Sequence, residues 1–168
     1  SGEQVAALPG VAAAFSDSGR VMLAYGRDRG ALWDTTRWRS VWSAVGGPWA
    51  ELRLDPRARH VAATLLPAAA DAGAPPRAVE IWDVLGGRAA QRIETGGVSA
   101  FSWGSGATLA VASSPVDGGL VIPFGRAATP IRSYDANTGQ VQALEAGVGP
   151  PQSISHLAGG RIAVLDHG

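Results

Sequence analysis

Protein chemistry needs side chains that can hold a proton, attack a carbon or bind a metal, and this chain of 168 residues carries few of them. It has no cysteine, which removes disulfides, thiolate metal ligands and a cysteine nucleophile together. Three histidines are present, His60, His156 and His167. His60 opens an apolar run beside Arg59 and Val61, with no second histidine or carboxylate at a metal-ligand spacing. His156 and His167 fall in the last short segment. All three read as ordinary surface or junction histidines. There is no phosphate-cradling Gly-Lys-Ser/Thr, no strand-to-helix Gly-x-Gly-x-x-Gly and no nucleophile elbow, and the glycine-rich pieces fall at hairpin turns. The expectation is therefore no catalytic, cofactor-binding or metal-binding residue.

Charge narrows the partners. Lys and Arg total 14, as do Asp and Glu, so the net charge is zero and no broad basic field can draw in nucleic acid by counterion release. No apolar stretch reaches the roughly 18 to 20 residues of a membrane span. The chain opens on Ser1 without a charged-then-apolar leader, which reads as an excised piece of a longer protein; the expected setting is a cytoplasmic module of that protein, with the periplasm or the extracellular space as alternatives.

The elements that would position any site are turn-rich and β-forming. Glycine (23) and proline (11) make up about a fifth of the chain, and 46% of residues are hydrophobic. Three segments end in an aromatic residue followed by Asp: Trp33-Asp34, Trp82-Asp83 and Tyr134-Asp135. The aromatic positions are 49 and then 52 residues apart, which is one repeat unit plus a modest insertion. Before each lies a strand–turn–strand unit, around Ser16-Asp17-Ser18-Gly19, Asp55-Pro56-Arg57-Ala58 and Gly104-Ser105-Gly106-Ala107, and a fourth runs from Ile154 to Leu165. After each aromatic–Asp pair comes another hairpin, with Gly86-Gly87 or Asn137-Thr138-Gly139 in the turn. The first copy, Asp34-Thr35-Thr36-Arg37-Trp38-Arg39, lacks the glycine and calls for a different turn. The pattern is a four-stranded unit, repeated at 8–46, 47–96 and 97–146, with a partial unit at 147–168.

Phe15-Ser16-Asp17-Ser18-Gly19, Phe101-Ser102-Trp103-Gly104-Ser105-Gly106, Leu32-Trp33-Asp34 and Ile81-Trp82-Asp83 resemble the WD-repeat (WD40/YVTN-like) β-propellers, in particular the divergent bacterial type. Tyr134-Asp135-Ala136-Asn137-Thr138-Gly139 is similar to the variant of quinoprotein-type and YVTN-type propellers. The family's Gly-His dipeptide is missing from every junction between units, so its His–Asp hydrogen-bond network is not carried over, although Asp28 stands where a turn Asp is expected. The resemblance implies an all-β chain, a β-propeller portion of about three and a half four-stranded blades, completed by another chain or a missing segment. It makes Trp33, Asp34, Trp82, Asp83, Tyr134 and Asp135 structural repeat positions. It further implies a non-catalytic protein-interaction or sensing platform, whose partners are proteins, the remaining blades, or a second copy meeting its open edge strands. The alternative is part of a propeller enzyme or periplasmic sensor with a small ligand or metal in the central channel.

Two places could carry a partner contact. Trp38, Trp42 and Trp49 cluster near Arg37 and Arg39, an aromatic–arginine composition suited to a protein hot spot, with packing between units as the competing reading. The long connection 113–126 carries Leu120, Ile122 and Phe124, and a second insertion occupies 67–77.

Overall fold

A computed structural model describes residues 12–26, 29–45, 49–65, 76–86, 88–95, 97–113, 130–144, 151–157 and 161–166. Among them the chain is all-β, with one 3-10 turn at Ser105–Ala107 as the only helical geometry. The strands form four antiparallel sheets, three of four strands and one of two. The first sheet holds β1 (Ala12–Phe15), β2 (Val21–Tyr25), β3 (Arg29–Asp34) and β4 (Arg39–Val45). The second holds β5 (Trp49–Leu54), β6 (His60–Leu65), β7 (Ala78–Asp83) and β8 (Arg88–Glu94). In the third are β9 (Val98–Trp103), β10 (Thr108–Ser113), β11 (Ile131–Asp135) and β12 (Val141–Leu144), and β13 (Pro151–His156) with β14 (Ile162–Asp166) forms the last.

Within every sheet the strands follow chain order, so each is a simple meander built from neighbouring hairpins. The first strands of successive sheets lie against one another, β1 on β5, β5 on β9 and β9 on β13, which makes them the inner strands of a radial stack. The second strands are apolar on both faces: β6 and β10 are buried almost throughout. A sheet of this kind needs a neighbour on each side.

Three apolar cores supply those neighbours. Leu23, Leu32, Trp42 and Ala44 of the first sheet meet Trp49, Leu52, Val61 and Ala63 of the second. Ala62, Val79, Ile81 and Ile93 of the second meet Phe101, Leu109, Val111 and Tyr134 of the third. The third sheet's Ala100, Ala110, Ala112 and Ile131 then meet Ile154 of the fourth, with Ile162 and Val164 packed alongside. Gly30 belongs to the first of these contacts: a Cβ there would come within 3.1 Å of Leu52 Cδ2 and 3.4 Å of Trp49 Cζ3.

The repeat is kept in register. Leu54–Val61–Trp82 and Trp103–Leu109–Tyr134 form equivalent cross-strand rows. Both rows touch the preceding sheet's core. Their counterpart in the first sheet is Phe15–Met22–Trp33, and there Phe15 is 60% exposed. In the first two sheets the third and outer strands slip by one residue beside the tryptophan, between Leu32 and Trp33 and between Ile81 and Trp82.

Truncating a fully enclosed inter-sheet residue leaves a cavity, whereas truncating an open-face residue does not. Leu109→Ala is expected to cost about 2–5 kcal/mol in chemical denaturation, and Phe15→Ala about 0.5 kcal/mol or less.

Candidate functional site

The antiparallel meander sorts the connections onto two ends. One end gathers the turns β1–β2, β5–β6, β9–β10 and β13–β14 together with β3–β4, β7–β8 and β11–β12. The opposite end takes the β2–β3, β6–β7 and β10–β11 connections and the passages from sheet to sheet. Both long insertions therefore attach at that opposite end. Leu120, Ile122 and Phe124, and Asp28 as well, lie outside the described residues.

At the turn end a backbone bond joins the two hairpins of each four-stranded sheet. The Thr35 amide donates to the Arg20 carbonyl at 3.0 Å, Val84 to Arg59 at 2.9 Å, and Ala136 to Ala107 at 3.0 Å. The aspartate of each aromatic–Asp pair caps the outer turn. Asp34 Oδ1 accepts from the Thr36 amide at 2.9 Å and the Thr36 hydroxyl at 2.6 Å. Asp83 Oδ1 accepts from the Leu85 amide at 2.9 Å, and Asp135 Oδ1 accepts from Asn137 at 2.8 Å and Thr138 at 3.0 Å. These are local Asx caps.

Four residues after Asp135, Gly139 closes the turn with φ +72°. The same place in the first sheet is Trp38, with φ +51°. The first copy thus keeps the left-handed turn and puts a tryptophan where glycine is at ease.

The inner turns surround a depression of about 570 Å³ on the axis, lined by Asp17, Asp55, Arg57, Trp103, Ser105 and His156 among others. All four sheets contribute. Its floor is a buried polar cluster. Asp55, only 1% exposed, accepts the Arg59 amide on Oδ1 at 2.6 Å and sets Oδ2 3.4 Å from His60 Nδ1. The His60 ring stacks on Trp103 with centroids 6.0 Å apart. Trp103 Nε1 in turn donates to the Arg53 carbonyl at 2.9 Å. His60 is accordingly a buried histidine with a carboxylate partner, not the surface or junction histidine its neighbours in sequence suggest. The reason is the hairpin, which returns the chain so that positions 55 and 60 close one turn.

His156 forms the opposite wall. Its ring lies directly on Gly104, where a Cβ would be 2.4 Å from Cδ2 and 2.6 Å from Nε2, so position 104 has room only for glycine. Burial pushes the His156 imidazole below its ordinary value of 6.5, and Nδ1 is buried without a hydrogen-bond partner among the described residues. Among the described residues no three His, Asp or Glu side chains gather as metal ligands, and no helix is long and apolar enough to cross a membrane.

The remaining tryptophans separate by environment. Trp42 and Trp49 are buried in the first inter-sheet core. Trp82 is half-buried and meets Trp42 edge-on, with centroids 6.1 Å apart at 73°. Tyr134 is buried between the second and third sheets, while Trp33 is half-buried on the first sheet's open face. Of the Trp38, Trp42 and Trp49 cluster, only Trp38 is exposed, at 38%.

No protein-family model matches the chain, and no curated protein matches it. Among solved structures, a chain from the crystal structure of a mitotic checkpoint complex superposes with a TM-score of 0.58 at 12% identity, over 90% of this chain and 46% of that one. The chain spans just under half the length of that neighbour. With four sheets of four, four, four and two strands stacked through their inner strands, its fold is a partial β-propeller.

Two measurements follow from the turn end. Gly104→Ala is expected to destabilise by about 1–3 kcal/mol through the clash with His156, and adding His156→Ala should recover most of that loss, a coupling that a double-mutant cycle reads directly. Hydrogen bonds from the Thr36 hydroxyl and amide hold the Asp34 carboxyl below its ordinary 3.8, as the Thr138 and Asn137 amides do for Asp135. Because both values are lowered by folding, the caps are intact above 3.8 and are lost as pH falls through the lowered values. The Thr36 and Thr138 amide resonances should titrate with midpoints under 3.8; midpoints above that value would contradict the caps.

Proposed function

We propose that the chain is a non-catalytic protein-interaction platform, the propeller part of a larger protein of the divergent bacterial WD-repeat type, working in the cytoplasm. The observation that carries this reading is Trp38. A bulky side chain in the left-handed region costs roughly 1–2 kcal/mol, and the equivalent turn of the third sheet avoids that cost with Gly139. The residue held in this strained backbone conformation is more than a third exposed, and exposed Arg39 and Arg37 flank it. Tryptophan and arginine are the residue types that dominate protein hot spots, and strain held at a surface position is a mark of use.

The open face of the first sheet supports the second half of the proposal. Phe15, Met22 and Trp33 stand in the register that the second and third sheets bury against a preceding sheet. Met22 is already buried and Trp33 is half-buried, so what the missing blades, from elsewhere in the parent protein or from a partner, would cover is the exposed Phe15. A neighbour taken from a protein complex fits protein partners. Leu120, Ile122 and Phe124 remain proposed contacts on the strength of their apolar sequence.

The test is Trp38→Gly in the parent protein, with a photo-crosslinker at position 37. The substitution is expected to hold or raise thermal stability, by up to about 1 kcal/mol, while the crosslinked partner band disappears. Loss of stability with an unchanged band would refute the reading. So would a reproducible turnover abolished by Asp55→Asn or His60→Ala, which would favour the enzyme alternative.

A further inference from the structure

The outer strands of the three four-stranded sheets hold the same place but meet water differently. On β8 two charged residues guard the edge: Arg92 Nε donates to Glu94 Oε1 at 2.6 Å, and Arg92 Nη1 donates to Glu80 Oε1 of β7 at 3.2 Å. Charges on an edge strand discourage the addition of another strand, and so does shortness. β12 has only four residues. β4 has neither protection. It runs for seven residues, pairs on one side only among the described residues, and carries no charge from Ser40 to Val45. The register puts Ala31, Ser43 and Val45 where the second sheet has Glu80, Arg92 and Glu94. Trp42 and Ala44 turn into the first core, while Val41 and Val45, on the other face, are 48% and 82% exposed. A groove of about 270 Å³ lies alongside, lined by Ala31, Trp33, Ser43 and Val45 among others. The second sheet has a neighbour on each face, yet its Arg92 and Glu94 side chains stay 53% and 67% exposed. The matching rim of the first sheet therefore remains open once further blades are in place.

We infer that the outer edge of β4 takes up an extended segment of a protein partner as a fifth strand, one with aliphatic side chains at alternate positions. Main-chain bonds along the edge supply the affinity, and the side chains that reach the groove supply the selectivity. An aliphatic side chain there leaves water for the apolar surface of Ala31, Trp33 and Val45. Ser43, between Val41 and Val45 on the same face, adds no charge that would have to be stripped of its water. β4 begins at Arg39, directly after Trp38, so a segment that touches the exposed Trp38 is led onto this edge without a break. The inference rests on the reading of Trp38 as a partner contact and names the chemistry of that partner.

The experiment is an amide-resonance titration of the full chain with a short capped peptide of alternating valine and threonine. Shifts are expected along residues 40–45. Because alternate amides of an added strand point toward the edge, N-methylation of one alternate set should weaken binding about tenfold, and methylation of the other set should leave it unchanged. Ser43→Arg with Val45→Glu copies the rim that the second sheet already carries, and should weaken binding about tenfold or more. Binding indifferent to both methylated sets overturns the inference, as does unaltered binding by the double variant. Tighter binding of a peptide with glutamate in place of valine, or no binding at millimolar concentration, also overturns it. A dimer of the chain that the double variant abolishes would give the edge to a second copy and overturn the assignment to a partner. If the Trp38-dependent crosslink in the parent protein persists in the double variant while the valine peptide fails to bind, the strand site falls and the Trp38 contact stands.

Discussion

Everything in this molecule depends on sheets burying their faces against one another. The second strands β6 and β10 are apolar on both sides, so neither sheet has a face it could leave in water. Each of the three cores is made from two sheets, and none is internal to one. Stability is therefore a property of the interfaces between repeats. Because the faces are consumed by stacking, the described surface available for other work is confined to the two ends, the outer strands, the open face of the first sheet and the exposed side of the last one.

The two ends differ in kind. At the end carrying the insertions, chain length varies between repeats, with connections of very different size between second and third strands. At the turn end length hardly varies, and each copy repeats the same backbone tie and, in the outer turn, the same aspartate cap. Variation at the turn end is instead in side chains: Trp38 in place of Gly139, His60 where Val21 and Thr108 stand, Asp55 where Ser16 and Gly104 stand. A fixed backbone with variable side chains is how a repeat scaffold acquires a specific surface without altering its stacking.

Much of this architecture was legible in the residues. The aromatic–Asp pairs and the turn residues recur at a common spacing, so strand order and meander topology followed from period and turn chemistry alone. The buried cluster was not legible, because its contacts are of two kinds that local reading misses. Asp55 and His60 meet only once the β5–β6 turn closes, and a pair flanking a four-residue turn was the available signal. The Trp103 bond to the Arg53 carbonyl crosses from one repeat to the next, 50 residues away, close to the repeat period itself. Trp42 and Trp49, near in sequence, allowed two readings, a partner contact or packing between units, and both lie in the core shared by the first two sheets. Trp38 was grouped with them for the same reason, although its turn carries it to the surface at the end of its sheet.

The seating of the last sheet has a consequence for how the propeller can grow. A two-stranded ribbon is marginal by itself, but here Ile154 enters the third sheet's core and the His156 ring rests on bare backbone at Gly104. Its angular position about the axis is thereby assigned by the inner strand, before any third or fourth strand is added beside β14. Further strands can be laid on outward from that ribbon without re-indexing the hub, so a propeller built from separate pieces could be joined along a seam that never passes through its centre.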